Sequence, residues 1–210
     1  MDFGKTPFFF VIVAVGVVGA LATSIALLPM VPGSTTTASG TTSKSVGSAD
    51  GLELTLRISG TQIPTGGSVT INVTETNTLS TALNISAGRS WPVTGLRMNA
   101  CYSSVYPFGV AVYQGRYTKD NVSAAKPLNL YPLVPCPLLL RYISGYDFSP
   151  NSDSAMVLPG SGFPMRMSAA VVASGNYTSG AMQTGFSPGE YTLAAGDEWG
   201  ALVLLYFTVP

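Results

Sequence analysis

The chain of 210 residues contains no histidine, the side chain that most often performs acid–base chemistry near neutral pH. This absence excludes Ser-His-Asp and Cys-His catalytic arrangements. It also excludes zinc, blue-copper and haem sites that use histidine ligands. Any chemistry must therefore come from carboxylates, thiols, thioethers, hydroxyls or amines. Three short clusters of such groups occur after residue 140, and each has a structural explanation beside the chemical one.

The first cluster places oxygen donors at alternating positions, as at the start of a calcium-binding loop. Its members are Asp147, Ser149, Asn151 and Asp153. An EF-hand is excluded because Ser152 stands at the sixth position in place of Gly, and Leu158 at the twelfth in place of Glu. A looser calcium site stays open, but we expect a polar turn held by Asx hydrogen bonds.

Two further pairs could bind a metal or perform catalysis. Met165 and Met167 are soft ligands suited to Cu(I), although two core methionines explain them equally well. Asp197 and Glu198 are adjacent carboxylates, which on a strand would point to opposite faces and so would not form a catalytic dyad. A tight turn explains them better, with Trp199 covering the end of the core or stacking on carbohydrate. We assign no catalytic, cofactor-binding or metal-binding residue, and we expect no cofactor and no enzymatic activity.

The two cysteines, Cys101 and Cys136, form an even pair that in an oxidising exterior predicts one disulfide. The bond would close a loop of about 35 residues and add about 3–4 kcal/mol on the chain-entropy model. Two buried free thiols are the alternative. Residues 102–137 contain five prolines and are expected to form the largest irregular region.

Composition narrows the class of protein. Charged residues make up 10% of the chain and the formal net charge is zero, so there is no basic field to hold nucleic acid. Apolar residues make up 46%, which argues against disorder in the main domain. A weakly charged surface without histidine would suit acidic surroundings, where carboxylates lose their charge.

The N-terminal region predicts a membrane anchor. Phe8 to Val31 is an apolar run of 24 residues, long enough to cross the roughly 30 Å hydrocarbon layer as a helix and to contact membrane lipid. A cleaved signal peptide is the competing interpretation, but its apolar core is normally only about 7–15 residues long. Lys5 in the short segment 1–7 favours a cytoplasmic N-terminus and an extracytoplasmic C-terminal domain. This topology predicts a single-pass protein of the cell membrane.

Residues 32–50 are rich in Ser, Thr and Gly and predict a flexible linker, with or without O-linked sugar. Residues 51–210 follow as the extracytoplasmic domain. In its first strand candidate the apolar residues alternate with polar ones, as Leu52, Leu54, Leu56 and Ile58 show. Val69, Ile71 and Val73 repeat the pattern, leaving Thr70, Asn72 and Thr74 facing water.

Further strand candidates cover residues 82–85, 95–101, 109–114, 138–143, 165–173, 189–194 and 201–209. The last of them is apolar on both alternating sets, which predicts a central strand covered on both faces. No segment after residue 50 keeps a helical period over three turns. The pattern predicts an all-β fold, a single immunoglobulin-like β-sandwich, although the Cys…Trp…Cys signature is missing because Trp91 precedes both cysteines.

Asn-x-Ser/Thr sequons indicate a glycosylated, exported domain. They begin at Asn72, Asn84, Asn121 and Asn176. A second group of residues is rich in tyrosine, which gives rigid contact area together with a hydroxyl, and it is a candidate binding surface unless the rings are core. That group comprises Tyr106, Phe108, Tyr113, Tyr117, Tyr131 and Trp199.

Two segments, Ser187 to Gly200 and Pro107 to Gly115, resemble blocks of uncharacterised archaeal exported proteins that are anchored in the membrane. The resemblance is local, implies an archaeal cell-envelope setting, and carries over no functional residue. Together with the anchor and the sequons, it predicts a non-enzymatic role in binding, adhesion or envelope structure, with envelope proteins or glycans as partners. A filament or surface-layer subunit and an accessory subunit of a membrane complex are the alternatives. Gly4-Lys5 counts against a pilin because archaeal-type pilin leaders have the reverse order.

Overall fold

The computed structural model describes residues 40–96, 106–128, 143–158, 163–173, 177–178, 181–182 and 185–210. Several sequence predictions lie outside these ranges. They concern the apolar run 8–31, the pair Cys101 and Cys136, Tyr131, Asn176, and most of the strand candidates 95–101 and 138–143. Within the described ranges, no helix combines the length and apolar character needed to cross a membrane.

The described residues form an all-β structure, as the sequence predicts, and its named strands pair only in antiparallel fashion. The strands are β1 (Thr42–Gly47), β2 (Leu52–Ile58), β3 (Val69–Asn77), β4 (Leu83–Ser86), β5 (Phe108–Gln114), β6 (Gly145–Phe148), β7 (Ser154–Leu158), β8 (Pro164–Arg166), β9 (Ser168–Ala173), β10 (Tyr177–Thr178), β11 (Ala181–Met182), β12 (Gly189–Asp197) and β13 (Leu202–Val209). Two single 3₁₀ turns, Ala49–Gly51 and Val122–Ala124, accompany them.

The longer strands belong to three sheets. The first has the order β1-β2-β3-β9, the second β13-β12-β5 and the third β4-β6-β7-β8, while β10 and β11 form a two-stranded ribbon. Neighbours such as β3 and β9, or β5 and β12, are far apart in sequence. In the first two sheets, pairing between such strands therefore brings distant segments of the chain side by side.

The alternating pattern explains β2 and β3. Leu56 lies opposite Val73 and Ile58 opposite Ile71, and the apolar residues of both strands are buried. Full burial of such a side chain contributes roughly 1.5–3 kcal/mol. The polar residues between them lie on the other face, where Thr70, Asn72 and Thr74 are half-buried.

The main hydrophobic core draws side chains from all three sheets. Leu56 belongs to the first sheet, Leu193 to the second and Phe148 to the third. A second, smaller cluster covers the other face of β5, β12 and β13, and contains Tyr113 and Ala194. Because β12 contributes to both clusters, this strand is buried on both faces.

The position of β13 corrects the prediction that the last strand is central. The strand is covered on both faces, but β12 is the middle strand of its sheet and β13 lies at the border. Near the C-terminal end of β13, backbone groups on its outer edge form hydrogen bonds with the loop between β2 and β3. Thr208 N–H donates to Thr61 C=O (2.8 Å), and Ile63 N–H donates to Thr208 C=O (2.9 Å). An apolar strand can therefore occupy a sheet border because that edge is partly covered.

Part of the predicted flexible linker 32–50 is a strand, because residues 42–47 form β1 and each of them pairs with a residue of β2. The prediction of a flexible linker is therefore wrong for these six residues. The pattern of Ser and Thr hid this strand, since its stabilisation comes from backbone hydrogen bonds rather than from buried side chains. Its side chains are exposed or half-buried. Lys44 lies on this outer strand, and a lysine there disfavours pairing with another sheet edge.

The predicted strand 165–173 is in fact two strands in different sheets. β8 and β9 are separated at Met167, whose side chain is fully buried. Met167 N–H donates to Asp153 C=O (2.6 Å), and Met167 C=O accepts from Glu75 N–H (2.8 Å). This residue thus connects the third sheet to the first, which the sequence pattern alone did not reveal.

Candidate functional site

Two features of β12 are candidates for function, one at each end of the strand. At its C-terminal end lie Asp197 and, in the following turn, Glu198, which together with Glu75 of β3 we call the carboxyl cluster. At its N-terminal end lies a solvent-open cleft beside Glu190. The structure confirms the predicted turn around Asp197 and Glu198. It also buries both carboxyl groups.

Asp197 organises the turn between β12 and β13. Its Oδ1 accepts hydrogen bonds from the backbone N–H groups of Trp199 (3.0 Å) and Ala201 (2.8 Å). Its Oδ2 accepts a hydrogen bond from the hydroxyl of Ser48, the first residue after β1. Burial raises the pKa of Asp197, and these hydrogen bonds oppose that rise. Asp197 is therefore a structural carboxylate with its acceptor sites in use.

Glu75 has the opposite surroundings. Its side chain is 0% exposed, and neither carboxyl oxygen has a hydrogen-bond partner among the described residues. Its pKa is raised to about 9, mainly by burial and additionally by the negative charges of Asp197 and Glu53. At neutral pH this side chain is therefore a neutral carboxylic acid.

Glu198 is intermediate between these two. Its pKa is raised to about 7. Burial is the main cause and the charge of Asp197 adds to it, while hydrogen bonds from the Gly88 backbone and from Tyr146 oppose the rise. One of its oxygens, Oε1, has no partner among the described residues. Burial, followed by the interaction with Glu198, also raises the pKa of the Tyr146 hydroxyl.

Glu75 was not among the residues predicted from sequence, although the pattern of β3 contains a signal for it. The residue continues the inward-facing series Val69, Ile71, Val73, so an acidic side chain stands where the alternation requires an apolar one. Its neighbour across the ladder is Leu54. A charged residue in phase with a buried set is the pattern that marks an ionisable group inside a core.

The cleft at the other end of β12 has a volume of about 250 Å³. We call it the Arg116 cleft and define it by its polar rim and its aromatic residues. These are Thr61, Gln62, Arg116, Glu190, Tyr206 and Thr208, with Tyr191 and Phe207 beneath them. The last two rings are stacked 5.0 Å apart and are nearly parallel, which gives the cleft a rigid base.

Arg116 and Glu190 supply opposite charges at the rim. Arg116 Nη1 lies 4.0 Å from Glu190 Oε1, and the two side chains are 61% and 57% exposed. The guanidinium lies 4.3 Å from the ring centroid of Tyr206. Tyr206 is fixed in turn by its hydroxyl, which donates to Tyr117 C=O (2.9 Å). The rim therefore offers fixed donors, an acceptor carboxylate and aromatic surface in one small space.

The sequence did not predict the Arg116 cleft, and no local signal could have done so. Its residues come from the loop after β2, the loop after β5 and the pair β12–β13. They are brought together by the register that places Glu190 opposite Thr208, and by the bridge between Gln62 and Thr208.

The prediction of an aromatic binding surface is wrong for Phe108 and Tyr113, which are buried. Phe108 and Tyr113 are each 1% exposed, because β5 is covered by the main core on one face and by the second cluster on the other. Tyr106 is half-buried against Phe108 (ring centroids 5.2 Å apart), and Tyr117 is half-buried against Tyr113 (6.0 Å). These side chains belong to the core and its margin.

Trp199 covers part of the core rather than offering a free ring. It is half-buried and packs against the main cluster, with an edge contact to Tyr146 at 5.8 Å between ring centroids. Its indole N–H donates to Ser86 C=O (2.9 Å). The structural interpretation of this residue is therefore favoured over carbohydrate stacking.

Three predicted glycosylation sites lie among the described residues. Asn84 is exposed on β4, a border strand of the third sheet, and Asn121 is exposed beside the second 3₁₀ turn. Asn121 Oδ1 accepts a hydrogen bond from Thr118 N–H (2.8 Å). Asn72 is half-buried in the middle of the first sheet, between Arg57 and Ala170, so its side chain has less room than the other two.

The series 147–153 forms the end of β6 and the turn into β7. Ser154 N–H donates to Ser152 Oγ (3.0 Å), and Asp153 pairs with Arg166 (2.9 Å), so the acidic group is neutralised by a guanidinium. In the described part of the chain, no group of three or more His, Cys, Asp and Glu side chains is arranged to hold a metal ion.

Comparison with protein-family models gave no match to this chain. A search among characterised proteins also gave no match.

Proposed function

We propose that this chain is a membrane-anchored protein whose β domain lies outside the cytoplasm and has a non-enzymatic role in binding or envelope structure. One observation carries the proposal: an apolar run of 24 residues, Phe8 to Val31, precedes a chain segment that folds as an all-β domain. A run of this length partitions into lipid, and the single basic residue before it, Lys5, favours retention of the N-terminus inside.

The β domain is a sandwich of immunoglobulin-like architecture in this proposal. The support is the main core, which is shared by β2 and β3 of one sheet and by β5, β12 and β13 of another. Antiparallel sheets that bury a common set of alternating side chains are typical of sandwiches.

Binding, in this proposal, takes place in the Arg116 cleft. Arg116 donates hydrogen bonds, Glu190 accepts them, and Gln62 and the threonines do both. A sugar hydroxyl also both donates and accepts, so it can pair with each of these groups. The class of ligand that suits this cleft best is therefore an uncharged glycan of the cell envelope, and a volume of about 250 Å³ suits one or two sugar rings.

N-linked sugars at the exposed side chains Asn84 and Asn121 belong to the same proposal. Neither residue lines the Arg116 cleft, so glycans at these positions leave the cleft open. Mass spectrometry of peptides from the native protein tests the modification directly. Unmodified Asn84 and Asn121 in protein taken from native membranes would contradict it.

Membrane extraction tests the anchor. Native membranes are washed at alkaline pH, which releases peripheral proteins but not integral ones, and the chain is followed with an antibody to the β domain. We expect it to stay in the pellet, and a variant with Leu21→Arg and Leu27→Arg to appear in the wash. Release of the natural chain in the same wash would contradict the anchor.

A filament or surface-layer subunit is the second candidate, and the border strand β9 favours it. β9 pairs with β3 on one side, its outward-facing residues Ser168, Ala170 and Val172 are uncharged, and Val172 is 65% exposed. A border strand without charge is the kind that pairs with a second sheet edge. Electron microscopy of immunolabelled native cells distinguishes the two: labelled fibres favour the subunit, and dispersed label over the membrane favours the tethered binding protein.

A further inference from the structure

We propose that the carboxyl cluster is a proton-dependent latch: the β domain is packed most stably when Glu75 carries a proton, and the domain is therefore built for an acidic medium. This latch would act whatever the Arg116 cleft binds. Glu75 lies on the inward face of β3, where it is fully buried opposite Leu54.

Glu75 lacks hydrogen bonds of the kind that Asn77, the next inward-facing residue of β3, forms with its side chain. Asn77, two residues along the same face, donates to Thr81 C=O (2.9 Å) and Ser149 C=O (3.1 Å) and accepts from Leu79 N–H (2.9 Å). Both oxygens of Glu75 lack a partner among the described residues. An ionised carboxylate without donors is costly to bury, whereas a neutral carboxylic acid is far less so.

The charged groups that act on Glu75 are also carboxylates. They are Asp197 at the end of β12 and Glu53 on β2, and both disfavour a charge on Glu75. Glu198 extends the cluster, where it faces Asp197 and the hydroxyl of Tyr146 on β6. The charges of Asp197 and Glu53 therefore favour the protonated form of Glu75.

The direction of the pH effect follows from linkage. The pKa of Glu75 rises from its ordinary value of 4.5 to about 9 on folding, so between these pH values the folded chain holds a proton that the unfolded chain has lost. This contribution to stability is fully present below about pH 4.5 and is lost as the pH rises towards 9. Across that interval, each pH unit changes the unfolding equilibrium constant about tenfold.

Glu198 adds to the same trend over a narrower interval. Its pKa rises from 4.5 to about 7, so its contribution is lost between those values. Loss of the protons from Glu75 and Glu198 would first weaken the packing between β3 and the turn after β12. The hydrogen bond between Ser48 and Asp197 connects that turn to the loop after β1, so the end of β1 would be released with it.

Urea unfolding of the full chain in mild detergent, followed from pH 4 to pH 9, tests the latch. Glu75→Gln keeps the shape of the protonated side chain but cannot ionise. We expect the variant to gain stability relative to the natural chain as the pH rises, with the ratio of their unfolding constants growing about tenfold per pH unit above pH 5. Asp120→Asn, at an exposed carboxylate outside the carboxyl cluster and the Arg116 cleft, is the matched control.

A ratio that does not change with pH, or a Glu75→Gln variant that loses stability relative to the natural chain as pH rises, would overturn the latch. If the variant does not fold, infrared spectroscopy of the natural chain at pH 8 decides. We expect an absorption band from a protonated carboxylic acid at that pH, which lies below the pKa of Glu75 and above that of Glu198. Absence of the band would overturn the latch. It would not contradict the proposed membrane anchor or the proposed binding site in the Arg116 cleft.

Discussion

At the scale of single residues, the contrast between Asp197 and Glu75 shows that burial alone does not define the role of a carboxyl group. Both are fully buried. Asp197 accepts hydrogen bonds from Ser48, Trp199 and Ala201 and so fixes a turn. Glu75 has no such donors among the described residues. Its burial is therefore tolerated because a proton removes the negative charge, whereas hydrogen bonds stabilise the carboxylate of Asp197.

Ser48→Ala tests the structural role of Asp197. Removal of the hydroxyl leaves a buried carboxylate oxygen without its donor, so we expect a loss of about 1.5–3 kcal/mol in the free energy of unfolding. Urea unfolding at pH 7 measures the loss, and Ser43→Ala, at an exposed position on β1, is the control. Equal stability of the two variants would contradict the role assigned to Asp197.

Arg116→Met tests the proposed binding site. The change keeps much of the aliphatic side chain over Tyr206 but removes the guanidinium donors, so we expect at least a tenfold weaker affinity for neutral oligosaccharides. Calorimetric titration of the full chain measures it. Arg57→Met, at an exposed arginine of β2 outside the cleft, is the control. Equal loss in both variants, or no binding by the natural chain, would contradict the cleft as a glycan site.

At the scale of secondary-structure elements, the alternating pattern of Leu52 to Ile58 and of Val69 to Val73 predicted β2 and β3 correctly. The same reasoning missed β1, because an outer strand of Ser, Thr and Lys buries little and its sequence resembles a linker. It also missed β6, in which Tyr146 and Phe148 are buried on either side of Asp147, because a strand of four residues that begins with Gly145 is too short to show a clear alternation. Long strands that bury one face can be predicted from sequence, whereas very short strands and strands held mainly by backbone pairing cannot.

The two candidate sites also differ in how far they could be predicted from the sequence. The turn at Asp197 and Glu198 could be predicted, because a Gly and two acidic residues interrupt two apolar strands. The Arg116 cleft could not, since strand register and a loop contact bring residues 61, 116, 190 and 206 together. Such a site depends on tertiary structure and leaves no spacing in the chain.

Gly88→Ala tests how closely the loop after β4 packs on the turn after β12. A Cβ atom at Gly88 would lie 2.1 Å from the carbonyl oxygen of Glu198 and 2.9 Å from Trp199 Cδ1, so the two loops would have to separate. We expect a loss of about 1–3 kcal/mol in the free energy of unfolding, measured by urea unfolding. Gly47→Ala is the control, because its Cβ would meet no atom within 4 Å. A Gly88→Ala variant as stable as this control would contradict the close packing.

At the scale of the whole molecule, the low charge of the chain, the lack of histidine and the buried carboxyl groups point in one direction. Few surface groups change their charge in acid, and the core gains stability there through Glu75 and Glu198. A domain with these properties suits a location outside the cytoplasm, where the medium is not buffered by the cell. The proposed anchor and the proposed latch are thus consistent, although each rests on its own observations.

The lysines of the chain allow the most direct test of the central claim, that the β domain lies outside the cell. They are Lys5, before the apolar run, and Lys44, Lys119 and Lys126, which are exposed on the β domain. Intact cells are treated with a membrane-impermeant amine reagent, and the modified peptides are identified by mass spectrometry. We predict label on Lys44, Lys119 and Lys126 in intact cells, and on Lys5 only after lysis. Label on the three β-domain lysines that appears only after lysis would contradict the account.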